Sequence, residues 1–229
     1  ILIKDPLPLV LGCDMSGTVI AMGSEVSTSR FNVGDTVFGY TGLGTKGSGT
    51  FAEYCMIDSH LAMKTSNEDL SKNVDALAGC GVGMYTAALG LFQQLALSIP
   101  AVHKDPAIPV LIWGASGSVG AFATQMAAAA GYAVIGVCSK RNFDYVKSLG
   151  AKHVVDYADP NVVSQIRKLA DEKLHYAYST ISTASTNQCI QCLAQDPKSR
   201  VTDCSGKASV DPGQVKATSV SLGIVPNDE

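Results

Sequence analysis

The chain has 229 residues, 46% of them hydrophobic and 16% charged, with 22 glycines. That excludes a disordered or coiled-coil protein and sets an expectation of one or two globular domains with much buried sheet. A net charge of −3 and a pI near 5.8 exclude nucleic acid as the principal partner, because nothing would hold a phosphate backbone by charge alone.

The chain begins at Ile1, and the opening ILIKDPLPLVLG carries Lys4, Asp5 and two prolines. This suits neither a signal peptide nor a spanning helix, and the expectation is that a natural N-terminal segment is missing. Residues 1 to about 65 are rich in Gly, Thr, Val and Ser, with short alternating runs at Ser16 to Met22, Asp35 to Phe38 and Phe51 to Met56, so this part reads as β-rich. Between Asp69 and Leu97 the pattern turns helical. A small-residue segment, Ala76 to Gly83, leads into YTAALGLFQQLAL, where Tyr85, Leu89 and Phe92 recur at helical spacing. Ser98 to Pro109 holds three prolines and reads as a linker.

After Pro109, strand and helix signals alternate. Strands are expected near 110–113, 133–138, 153–156, 176–181 and 200–204, with helices starting near 118, 141, 161 and 185; alternation at this spacing implies a doubly wound parallel sheet. Pro106 to Ser139 contains no charged residue, which could suggest a membrane span. Its punctuation argues for a buried βαβ unit instead: a short branched run at Val110–Trp113, Gly114, Gly117 and Gly120 at once, an Ala-rich run ending at Gly131, and a second branched run. No membrane partner is expected.

IWGASGSVG is the strongest functional signal, with Gly114, Gly117 and Gly120 between an expected strand and an expected helix. Backbone that approaches a pyrophosphate closely needs residues without a β-carbon, and the helix start offers free N–H groups and a positive dipole end. The competing reading is a glycine-rich packing turn without ligand, and the βαβ context favours the dinucleotide. A NAD site places an acid at the end of the second strand to hold the ribose 2′-hydroxyl. Here the chain reads Cys138, Ser139, Lys140, Arg141, Asn142, with no acid before Asp144, so NADPH is the expected cofactor. The plainer alternative is that Lys140 and Arg141 form a solvated charged turn.

Seven cysteines, an odd count without dense spacing, read as cytosolic thiols, and a cytoplasmic location is expected. Cys189 and Cys192 form one CxxC, which cannot complete a tetrahedral zinc site and reads as a packed helix face. His60, His103, His153 and His175 are scattered without ligand spacing, and read as surface or satisfied core residues.

GCDMSGTVIAMGSEVSTSRFNVGDTVFG, GTFAEY, YTAALGLF, IWGASGSVG and SLGAKHVVDY occur in the order found in medium-chain dehydrogenase/reductases. The chain resembles the zinc-independent, quinone oxidoreductase-like branch and, closer still, fungal trans-acting enoyl reductases. The resemblance implies an α/β fold: a partial GroES-like β-rich domain over residues 1–80 and a Rossmann doubly wound domain over 81–229, incomplete at both ends, with an active site in the cleft between them. It implies that Ser116, Gly117, Ser118 and Val119, flanked by Gly114, Ala115 and Gly120, cradle the pyrophosphate. Ser139, Lys140, Arg141 and Asn142 would meet the 2′-phosphate, with Tyr157 beside it, and Leu222 and Gly223 would lie near the nicotinamide. The segment Gly81, Val82, Gly83, Met84, Tyr85, Thr86, Ala87, Ala88, with Thr86 at the helix start, would face nicotinamide and substrate.

In the zinc-dependent branch a histidine binds metal where Cys13 stands here, followed by Asp14, and the four-cysteine structural zinc run has no counterpart. No metal is expected. In YAYSTIS, Ser179 stands where relatives commonly carry Asp. Without a Lewis acid to polarise an isolated carbonyl, hydride addition to an enone, enoyl thioester or quinone is the easier chemistry, because charge delocalises as it forms. Thr86 and Tyr85 are the candidate donors to the enolate. Two other readings stand beside this reductase: a non-catalytic or truncated NADPH-binding relative, and a zinc-dependent alcohol dehydrogenase. The expected partner is a small-molecule or acyl-thioester-bound substrate, and oligomerisation is open.

Overall fold

The computed structural model describes residues 8–42, 45–65, 72–98, 107–204 and 215–220. The chain divides into two compact units, with the break between Tyr85 and Thr86.

In the first unit, β1 (Asp14–Thr18), β2 (Thr36–Tyr40) and β3 (Ala62–Lys64) form an antiparallel sheet in that order. Phe31, Val37 and Ala62 are its buried centre, with Met15, Val19, Met22, Val26 and Ile57 packed around them. The first expected strand is shifted: pairing ends at Thr18, and Val19 turns the chain by exchanging hydrogen bonds with Asp35 and Gly34. Phe51 to Met56 is not a strand. Phe51 N–H donates to Leu11 O at 2.9 Å and Met56 N–H to Gly47 O at 2.8 Å, but no continuous ladder links them, and Phe51, Tyr54 and Met56 are exposed.

The helical expectation over 69–97 resolves into pieces. α1 (Val74–Leu77) is capped by the Asn73 side chain, which accepts from Ala76 N–H at 3.2 Å. α2 (Val82–Ala88) runs into a π-helical stretch, Leu89–Gln94. Its fully buried face is Ala87, Leu91 and Leu95, and the expected stripe Tyr85, Leu89, Phe92 is only half-buried.

The second unit holds β4 (Pro109–Trp113), α3 (Ser118–Ala129), β5 (Ala133–Cys138), α4 (Phe143–Ser148), β6 (His153–Asp156), α5 (Val162–Leu169), β7 (Tyr176–Ser179), α6 (Thr183–Cys192), β8 (Arg200–Asp203) and β9 (Lys216–Ser219). The strands are all parallel, in the order β6-β5-β4-β7-β8-β9. Numbered within the sheet this is 3-2-1-4-5-6, the doubly wound order whose direction reverses beside the first strand.

Strand periodicity explains two cores. Leu111 and Trp113 point to one face with Ile135, Val137, Ile166 and Cys189, while Val110 and Ile112 point to the other with Val134, Ala123, Leu91 and Tyr178. With both faces covered, every position of β4 after Pro109 is buried, which is why the sequence shows an uninterrupted apolar run there. β3 and β9 have no counterpart in the sequence reading. Among the described residues no helix is long and apolar enough to cross a membrane.

Candidate dinucleotide site

The site begins where β4 ends. Gly114 and Ala115 N–H groups both donate to Val137 O, at 2.9 and 3.0 Å, tying the turn to β5, and Gly114 takes φ +85°, a conformation that favours glycine. Gly117 precedes α3 and offers no side chain to cap it, so the first-turn N–H groups are left without a side-chain acceptor. A β-carbon on Gly120 would lie 2.1 Å from Gly114 O. Only glycine lets the helix start sit this close to the strand end. Bare N–H donors, a positive dipole end and exposed Gly117 and Ser118 form a cradle that fits a pyrophosphate.

Beside it, β5 ends at Cys138 and the chain enters a 3₁₀ turn, Lys140–Asn142. Lys140 and Arg141 are exposed, whereas Ser116, Ser139 and Asn142 are half-buried. The Asn142 amide donates to Ser116 Oγ at 3.0 Å and to Ser139 Oγ at 3.3 Å, which joins the glycine turn to the end of β5. Tyr157 directly follows β6; its N–H donates to Cys138 O at 3.4 Å and its ring is exposed.

The sequence reading missed an acid here. Asp156 pairs with Cys138 across β5 and β6, and its Oδ2 lies 4.0 Å from Lys140 Nζ. Its Oδ1 accepts from Ala158 N–H at 3.0 Å, so the carboxylate caps its own turn. The register of β6 on β5 brings it in, and a search along β5 alone cannot find it. Thr180 was also missed: its hydroxyl donates to Trp113 O at 2.9 Å and so holds the end of β7 against the end of β4.

Ser179, on β7, is fully buried, and its Oγ lies 2.7 Å from Ser185 Oγ. Ser182 and Ser185 form a capping box that starts α6, so this hydroxyl cluster is satisfied within the fold. The buried acid of this region is Asp203 on β8, whose Oδ1 accepts from Ser219 Oγ at 2.6 Å.

The proposed substrate segment Gly81 to Ala88 lies at the unit break. Thr86 is not at the helix start, since α2 begins at Val82, where Asp14 Oδ1 accepts the Val82 N–H at 2.6 Å. Asp14 is therefore a helix-start acceptor. Burial, with the neighbouring Asp14 charge, pushes the Cys13 thiol up. Tyr85 donates its hydroxyl to Leu61 O at 3.0 Å and sets its ring edge-on to Tyr40 at 4.9 Å between centroids. Thr86 is buried, and its carbonyl accepts the Tyr178 hydroxyl at 2.8 Å. Leu222, Gly223 and His103 lie outside the described residues.

Cys189 and Cys192 are buried on α6, and burial pushes the Cys192 thiol up to about 12 and the Cys189 thiol well above the ordinary thiol range. His60 is exposed beside Asp58, and His175 Nδ1 lies 3.1 Å from Ser199 Oγ. Among the described residues, no group of three or more His, Cys, Asp or Glu could hold a metal ion.

Two family models match the chain: the alcohol dehydrogenase GroES-like domain over residues 2–67 and the zinc-binding dehydrogenase domain over 118–215. A trans-enoyl reductase of Aspergillus flavipes is 36% identical over 190 residues, covering 77% of this chain and 50% of the relative. A quinone oxidoreductase of Pseudomonas syringae has a solved structure that superposes with a TM-score of 0.74 at 25% identity, over 95% of this chain and 65% of that one. A mycobacterial protein solved in complex with NADPH superposes with a TM-score of 0.75 over 96% of this chain and 66% of that one; at 23% identity it shows the fold alone. The chain spans about half the length of the curated relatives it matches. Rossmann strand order, a GroES-like segment before it and these relatives agree: the chain belongs to the medium-chain dehydrogenase/reductase family, and within it is similar to trans-enoyl reductases and quinone oxidoreductases.

Proposed function

We propose that this chain is an NADPH-dependent reductase that acts on a conjugated C=C, as in an enone or enoyl thioester, or on a quinone, without a metal. The observation that carries the reading is the cradle at the start of α3 lying beside the Ser139–Asn142 turn. The bare first turn of α3 holds the pyrophosphate. Ser139, Lys140 and Arg141, with Asn142 and Tyr157 alongside, receive the 2′-phosphate; two cations and a hydroxyl donor match a dianion better than they match a ribose hydroxyl. Asp156 and Asp159 both approach Lys140, and both are engaged at their own turns: Asp156 Oδ1 accepts from Ala158 N–H at 3.0 Å, and Asp159 accepts from Asn161 N–H and from the Gln165 amide, each at 2.8 Å, which argues against either as a ribose-binding acid.

Bound NADPH supplies a hydride, and a conjugated substrate spreads the resulting negative charge onto an oxygen, where a hydrogen-bond donor stabilises it. Tyr85 and Thr86 remain the two candidate donors; Tyr85 gives its hydroxyl proton to Leu61 O and Thr86 is buried, so either would exchange a partner within the fold for the substrate oxygen. Trans-enoyl reductases among the relatives support an enoyl thioester as the substrate class.

The test is a parallel titration with NADPH and NADH, followed by nicotinamide fluorescence, for the wild type and Lys140→Ala. Removing one cation of a phosphate site should weaken NADPH binding about tenfold and leave NADH within about twofold. Turnover of a crotonyl thioester, an enone or a quinone then identifies the substrate class. Equal affinity for the two dinucleotides would overturn the 2′-phosphate assignment. Binding without turnover of any of the three would leave a non-catalytic NADPH-binding relative, and stoichiometric zinc in the purified protein would overturn the metal-free chemistry.

A further inference from the structure

We propose that Asn142 is a positioning residue that sets the proton direction of two serine hydroxyls, so that Ser116 and Ser139 both donate outward to cofactor phosphate oxygens. This rests on the NADPH reading above and assigns Asn142 a role other than direct phosphate contact.

The geometry is specific. Asn142 N–H donates to Ser139 O at 2.9 Å, which closes the 3₁₀ turn and fixes the residue's backbone. From there its side-chain amide reaches two loops: Nδ2 is 3.0 Å from Ser116 Oγ in the β4–α3 turn and 3.3 Å from Ser139 Oγ after β5. An amide nitrogen carries two hydrogens, one for each serine, and no lone pair to give. Each serine hydroxyl has one proton and accepts here, so its proton remains for another partner. The described residues give neither hydroxyl a carbonyl or carboxylate to donate to. Both protons are therefore directed at whatever occupies the cradle, and a phosphate oxygen is the acceptor that rewards them.

The buried cluster at the start of α6 shows the opposite arrangement. There Ser185 Oγ donates to Ser182 O at 2.8 Å and Ser179 Oγ is within 2.7 Å of Ser185 Oγ, so those protons are consumed inside the fold. Ser116 and Ser139 instead face an amide donor. Because one amide serves both loops, Asn142 also couples the pyrophosphate turn to the 2′-phosphate turn. Its loss should weaken NADPH, which uses both serines, more than NADH, which uses Ser116 alone.

Titration of the full chain with NADPH and NADH, for the wild type, Asn142→Ala, Ser116→Ala/Ser139→Ala and the triple variant, forms a double-mutant cycle. Losing the ordering of two hydrogen bonds should cost Asn142→Ala about threefold to tenfold in NADPH affinity. Added to the serine double variant, the same change should cost less than about twofold, because the groups it acts through are gone. Asn142→Asp keeps the shape but can only accept, so it should pull both protons inward and bind NADPH more weakly than Asn142→Ala.

An equal cost of Asn142→Ala in both backgrounds, or unchanged NADPH affinity in Asn142→Ala or in Asn142→Asp, would overturn the proposal while leaving the cofactor reading standing. A serine double variant that binds NADPH as the wild type does would instead overturn the cofactor reading beneath it, and the positioning role with it.

Discussion

Tyr178 concentrates several interactions in one residue. Its ring is fully buried among Leu91, Ile112 and Ala123, its hydroxyl donates to Thr86 O at 2.8 Å, and Cys204 Sγ donates to it at 3.2 Å. Burial raises the pKa of this phenol and of the Cys189 and Cys192 thiols, the last to about 12. The folded state therefore binds these protons more tightly than the unfolded chain does. Stability from each group is fully present below its unfolded pKa and is lost as pH rises through that value towards the folded one. For the thiols the loss should begin at about pH 8.5, where an unfolded cysteine titrates, and for the tyrosine at about pH 10. Urea unfolding followed through Trp113, the one tryptophan and itself buried in β4, should show a midpoint that is flat near neutrality and falls from about pH 8.5 upward. The double variant Cys189→Ala/Cys192→Ala should start lower and fall less steeply between pH 8.5 and 10, and an identical slope would remove the thiols as the cause.

The π-helical stretch after α2 depends on a close approach between elements. A β-carbon on Gly90 would lie 2.3 Å from Tyr178 Cζ, inside a ring that is held by its own hydroxyl bonds and cannot swing away freely. Gly90→Ala should therefore destabilise the second unit by about 1–3 kcal/mol, the range for overpacking a filled core. Tyr178→Leu should recover part of that loss in the double variant, and the urea midpoint read at Trp113 checks both; a Gly90→Ala change within about 0.5 kcal/mol would mean the ring yields. The same contact explains why the helix face was misread from sequence. Spacing alone selects Tyr85, Leu89 and Phe92, the bulky residues, whereas the buried positions include Gly90 and Ala87, whose smallness lets β7 come near. Elements with their own local signal were legible: β4, α3 and β5 follow from branched runs and glycine punctuation. β3 and β9 have three and four residues and exist through pairing with a neighbour, which no local pattern encodes.

For the molecule as a whole, the parallel order β6-β5-β4-β7-β8-β9 brings residues distant in sequence together at the candidate site. The glycine turn and the Ser139–Asn142 turn were legible because each is continuous in sequence. Asp156 and Thr180 were not, since register and strand order bring them beside Lys140 and Trp113. All of these groups hang on the same ends of one sheet, so a ligand that engages them stabilises the second unit as a body. A ligand that binds only the folded state adds RT ln(1 + [L]/Kd), about 2.7 kcal/mol at a hundred times Kd. 2′,5′-ADP carries the 2′-phosphate and lacks the nicotinamide half, so it isolates the β5 side of the site from any contribution of the substrate segment. It should raise the Trp113 unfolding midpoint in a concentration-dependent way, with 5′-AMP at equal concentration giving a distinctly smaller shift. In Lys140→Ala the two ligands should converge, because the difference between them is one phosphate and Lys140 is an exposed cation at that turn. Equal protection by both ligands in the wild type would place the discriminating phosphate contacts elsewhere than on β5, and the cofactor preference would then have to come from another part of the protein.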